Sequence, residues 1–117
     1  MKATPVGNGK SLLDDTLVLV FSEFSRTWPG TACDHWPSTS VMIAGGGTHG
    51  NRQLGGFDLE ASGYSPLGVP SAIVDEGGQM IERPLRTADI IYTSLVALGV
   101  EDFFLPGGPG EIVGVRA

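Results

Sequence analysis

Six consecutive residues, Thr16-Leu17-Val18-Leu19-Val20-Phe21, carry no charge and are dominated by β-branched and large apolar side chains. A run so short and so uniformly apolar predicts a strand buried on both faces, because an ordinary helix needs roughly 10–12 residues. The run stops abruptly at Ser22-Glu23-Phe24-Ser25-Arg26-Thr27, which brings in a carboxylate and a cation, and a loop then leads to Cys33-Asp34-His35-Trp36-Pro37. Open α/β sheets bind ligands outside the carboxyl ends of their strands. The pattern therefore predicts an α/β fold with a candidate site just beyond residue 21.

The chain has 117 residues, at most one domain, and can bury roughly 60–70% of its unfolded surface. It holds 18 glycines and 8 prolines, about double ordinary usage, so much of it must be turn and loop. A hydrophobic share of 41% with 17% charged residues predicts a globular chain rather than a disordered one. The net charge of −6, without a basic cluster, leaves no basic face of the kind nucleic acid requires and argues against a nucleic-acid partner. The lone cysteine cannot form an internal disulfide. No stretch reaches the roughly 20 apolar residues of a membrane span. Residues 1–5 lack the apolar core of a secretory signal.

Along the chain, residues 1–11 read as loop or leader and residues 12–117 as one domain portion. A long connection over residues 23–38 follows the first strand, and connections of that length are often functional. Ser40-Val41-Met42-Ile43-Ala44 predicts a second buried strand, ended by Gly45-Gly46-Gly47. Residues 45–70 are glycine-rich and weakly periodic, with room for short strand pieces. Asp75-Glu76-Gly77-Gly78 predicts a hairpin turn between residues 71–74 and 79–82. The clearest helix is at residues 87–98, with Thr87 as N-cap, Asp89 in the first turn, Ile91, Leu95 and Leu98 at helical spacing, and Gly99 as terminator.

Glu23 sits where a carboxylate can ligate a metal through oxygen, or else pair with Arg26. His35 offers the commonest transition-metal ligand and a proton-transfer group, and Asp34 can ligate or orient the ring; alternatively the histidine packs on Trp36 or Trp28. Cys33 reads as a small buried side chain or a thiolate. The Gly45-Gly46-Gly47-Thr48-His49-Gly50 run lacks the ending of a phosphate-binding loop and suggests a tight turn or close backbone approach. His49 reads as solvated. Arg26, Arg52 and Arg86 are candidates for clamping an anion, or surface ion pairs.

The combination of LLDDTLVLVFSEFSRT, CDHWPSTSVMIAGGGTHG and RPLRTADIIYTSLVALGV resembles the C-terminal part of a bacterial domain-of-unknown-function family related to the sulfatase and alkaline phosphatase superfamily. The likeness extends over residues 12–100. It implies part of an alkaline-phosphatase-like sheet, and a divalent metal ion, zinc being one candidate, held by Glu23 and His35 with Asp34 alongside. It also implies Arg26 as an anion contact, an ester of a small molecule or glycan as substrate, and a periplasmic or secreted parent. Phe24 stands where the superfamily has a paired histidine, which favours a non-catalytic binding or scaffold module as the alternative. The nucleophile and the remaining metal ligands of that superfamily precede the segment resembled here. The resemblance thus implies a C-terminal segment of an uncharacterised hydrolase-like domain, inactive when isolated and completed by an N-terminal part of the same domain.

Overall fold

The computed structural model describes residues 4–23, 25, 26, 35, 36, 39–58, 69–100 and 102–117, with the backbone alone at 25, 26, 35 and 36. In chain order the elements are β1 (Pro5–Gly7), β2 (Lys10–Ser11), β3 (Leu17–Phe21), β4 (Ser25–Arg26), β5 (His35–Trp36), β6 (Val41–Gly45), β7 (Gly56–Asp58), β8 (Val69–Asp75), β9 (Met80–Pro84), α1 (Thr87–Ala97) and β10 (Glu111–Ile112). The chain is mixed α/β, with small sheets in which every described pairing is antiparallel.

The apolar run does form a strand, β3, but its surroundings differ from the expectation. Its described partner is β6, with Leu17 opposite Gly45 and Phe21 opposite Val41. Leu19, Val20 and Phe21 are exposed, Phe21 by 64%, so β3 is not buried on both faces. The physical reason is that nothing among the described residues lies against the ladder at that end. Residues 1–11, expected as loop, contain the β1–β2 hairpin. Its two central residues, Asn8 and Gly9, have φ of 52° and 74°, the positive values that a two-residue Asn-Gly hairpin turn requires.

The larger sheet is built around β8. On one edge β9 pairs with it through residues 71–75, while β7 and β10 share the other edge. The β8–β9 connection is the predicted turn, in which the Asp75 carboxylate accepts from the Gly78 N–H at 2.6 Å. Ala72, Ile112 and Val115 form the core, with Ile43 of β6, Leu85 and Ile90 of α1 packed against it. Ile43 is the apolar link between the two sheets.

The helix ends as its sequence predicts. The Gly99 N–H bonds the Val96 carbonyl and the Val100 N–H bonds the Leu95 carbonyl, both at 3.0 Å, the paired bonds of a Schellman cap. Its buried side, however, is polar: Asp89, Thr93 and Ser94 face inward, while Ile91 and Leu98 are exposed. Thr93 explains why. Its hydroxyl donates to the Asp89 carbonyl at 2.7 Å and accepts the Ile112 N–H at 2.8 Å, tying β10 to the helix. Thr93→Val keeps the shape but leaves that buried N–H without an acceptor. It should cost about 1–3 kcal/mol, read as a lower urea midpoint with unchanged slope.

Candidate functional site

The two segments expected to carry the site turn out to be the arms of one β-ribbon. Beyond the β3–β6 ladder, β4 and β5 continue the pairing, with Ser25 opposite Trp36 and Arg26 opposite His35. Residues 23–38, expected as an unpaired loop, therefore contain paired strand. From Phe21–Val41 to Ser25–Trp36 the first arm advances four residues and the second five. Between the two ladders the second arm therefore carries one residue more than the first. In the same interval the Ser22 and Thr39 hydroxyls share a hydrogen bond at 2.9 Å.

Glu23 leaves the end of β3 in a bend and is exposed. Among the described residues its carboxylate makes no hydrogen bond or ion pair. Arg26 and His35 occupy opposed positions in the β4–β5 ladder. Asp34, Cys33 and Phe24 lie outside the described residues. Among the described side chains no three histidine, cysteine or acidic groups converge as a metal site, and those of Asp34 and His35 are not in that set.

The triple-glycine turn is at the opposite end of the β3–β6 ladder, after the Leu17–Gly45 pair. It does serve close backbone approach: a Cβ on Gly45 would meet the Thr16 carbonyl, and one on Gly47 the Ala97 carbonyl. His49 is exposed, as expected, with its N–H on the Val115 carbonyl at 2.8 Å. With Asp14, Asn51 and Arg52, it lines an open groove that also takes in residues 42–45 of β6.

Of the three candidate anion-clamping arginines, Arg86 is already committed to internal partners. Its guanidinium donates to the Gly107 and Gly108 carbonyls at 2.8 and 2.9 Å and lies 3.5 Å from both Glu76 and Asp89. It belongs to a charged network that the sequence reading did not identify. Arg83 grips Asp89 in a fork, both bonds 2.8 Å, and bonds Glu76 at 2.6 Å. The Asp89 carboxylate also accepts the Arg86 and Gly110 N–H groups at 2.8 and 3.0 Å. Burial alone would raise the Asp89 pKa, but the bonds from Arg83, Gly110 and Arg86 outweigh it and hold the group well below the usual carboxylate range. Every partner is internal, so the network is a structural clasp joining β9, α1 and the loop before β10.

The family model described as "Protein of unknown function (DUF1501)" matches residues 8–105, which include both arms of the ribbon and the whole of α1. The chain belongs to the DUF1501 family. No curated protein and no solved structure matches it. Within the family match lie Glu23, Arg26, Asp34 and His35, as do Arg83 and Asp89; β10 falls beyond it.

Proposed function

We propose that this DUF1501 chain supplies one side of a metal-dependent site for hydrolysing phosphate or sulfate esters. The observation that carries the reading is the ribbon, which brings Glu23 onto its first arm, without a partner among the described residues, and His35 onto its second. Carboxylate oxygen and imidazole nitrogen are a donor set suited to a divalent ion such as zinc. Such an ion, when bound, polarises the ester oxygen and stabilises charge on the transferring group. Glu23 and His35 hold it, Asp34 ligates or orients the imidazole, and Arg26, opposite His35, contacts the anionic group.

A catalytic zinc takes about three protein ligands, so Glu23 and His35 call for at least one more, and Asp34 is the candidate nearest in sequence. The exposed apolar side chains of Val20, Phe21 and Met42 fit a ladder that a further layer covers. Titration of the full-length protein with Zn²⁺ tests the reading. Glu23→Ala and His35→Ala should each weaken affinity by more than the roughly 10–100-fold that loss of a supporting residue costs. Unchanged affinity in both variants would rule it out. The 117 residues alone should show no turnover with metal present. Phe24 favours a second reading, a binding module without hydrolysis; cleavage of a generic aryl phosphate or sulfate by the whole protein would exclude it.

A further inference from the structure

We propose that the groove beside the triple-glycine turn binds the oxyanion group of a small organic phosphate or sulfate, held by Arg52 and His49. The described basic side chains Lys10, Arg83, Arg86 and Arg116 each reach a carboxylate within 3.5 Å. Arg52 is the exception. Among the described residues its guanidinium makes no ion pair or hydrogen bond, and neither does the His49 imidazole. A carboxylate is present in the same groove, that of Asp14. It accepts the Ser11 N–H and hydroxyl at 2.7 and 2.8 Å instead, which leaves the Arg52 fork open.

The backbone places the two groups on one wall. A Cβ on Gly114 would lie 3.8 Å from the Arg52 Nη1, so the guanidinium rests over a residue that has no side chain to displace it. The His49 N–H bonds the carbonyl of the next residue, Val115, at 2.8 Å. The Thr48–Arg116 bridge and the Ala117 N–H on the Gly47 carbonyl extend that pairing, and both side chains line the groove. A guanidinium offers paired donors that match an oxyanion, and an imidazole adds another donor and, when protonated, a charge. The groove has a volume of about 810 Å³, inside the roughly 300–1,000 Å³ of small-molecule sites and far larger than one oxyanion. The anion is therefore the charged end of a larger molecule, whose body lies along Leu13 and the Gly45–Gly47 backbone. Arg52 and His49 follow Gly45, at the end of the β3–β6 ladder away from Glu23 and past the Val20–Met42 pair. The inference does not rest on the metal-site reading.

The test is calorimetric titration of the full-length protein with inorganic phosphate, and separately with sulfate, in EDTA with chloride holding the ionic strength constant. Saturable binding is expected, and the tighter of the two anions names the ester class. Arg52→Ala should weaken it roughly tenfold or more, the loss expected for hydrogen bonds from a charged donor. Arg52→Lys, which keeps the charge without the fork, should fall between Arg52→Ala and the parent. His49→Gln should weaken binding roughly two- to tenfold. Arg116→Ala removes a guanidinium already 2.9 Å from Glu111 and should bind like the parent. Arg52 is exposed, so its variants should unfold at the temperature of the parent. No saturable binding of either anion overturns the inference. Equal loss in Arg52→Ala and Arg116→Ala would mark a general charge effect and overturn it as well. Binding that survives Arg52→Ala but disappears in Arg26→Ala would place the anion on the ribbon, against this inference and in favour of the metal-site reading. Normal phosphate or sulfate binding in Glu23→Ala and His35→Ala is expected whether or not those variants lose Zn²⁺.

Discussion

Asp89→Ala should be among the most damaging single changes in the chain, at roughly 3–5 kcal/mol, the cost of breaking a buried ion pair from one side. Asp89 is fully buried, and its removal leaves the Arg83 guanidinium, itself only 17% exposed, with Glu76 as its one carboxylate partner among the described residues, and takes the acceptor from the Arg86 and Gly110 N–H groups. Asp89→Asn keeps the volume but loses the charge and turns half of the acceptor into a donor facing Arg83, so it should be nearly as harmful. Urea unfolding followed by far-ultraviolet circular dichroism reads the loss. A midpoint within experimental error of the parent would show that the fork contributes nothing. The double variant Arg83→Met with Asp89→Leu removes both charges and should recover part of the stability, because no uncompensated ion remains.

The same carboxylate sets an acid limit. Its folded pKa lies below the unfolded value, so the unfolded chain binds the proton more readily. The stabilisation is complete well above the ordinary carboxylate value of about 3.9, and declines as pH drops through and below it. An acid titration of stability should show a component in that window that disappears in Asp89→Asn.

What the sequence made legible follows the range of each interaction. The turn at residues 75–78 and the cap at Gly99 depend on neighbours within a few positions, and both form as the local pattern predicts; at the other helix end the N-cap is Arg86 rather than the expected Thr87, because the Asp89 carboxylate accepts the Arg86 N–H. The Asn8-Gly9 hairpin was equally local, and its signal was present in the dipeptide. Burial was less legible. Leu17–Phe21 reads as doubly buried from its composition, whereas the described residues leave Leu19, Val20 and Phe21 exposed. The inward side of α1 misled for another reason: Ile91, Leu95 and Leu98 mark helical period, but the side that meets β10 is chosen by the hydrogen bonds of Asp89 and Thr93. The ribbon carrying Glu23 and His35 depends on pairing between residues nine or more apart, and its one-residue offset has no signature in either arm alone.

Gly47→Ala should match Asp89→Ala in severity, through backbone rather than charge. Gly47 has φ of 73°, and a Cβ there would run into the Ala97 carbonyl at the end of α1. Both costs apply together: about 1–3 kcal/mol for a side chain in left-handed backbone, and a further 1–3 kcal/mol for overpacking against a group that cannot turn aside. The damage should spread, because the Gly47 carbonyl also accepts the Ala117 N–H at 2.8 Å, and the adjoining His49 N–H holds the Val115 carbonyl. Shifting the turn would loosen Val115 from the core and separate β6 from α1. Gly50→Ala is the matched control, since a Cβ there meets nothing within 4 Å and the backbone is not in the left-handed region; it should stay within about 0.5 kcal/mol of the parent. Equal loss in the two variants would mean that the triple-glycine turn does not pack against the helix end.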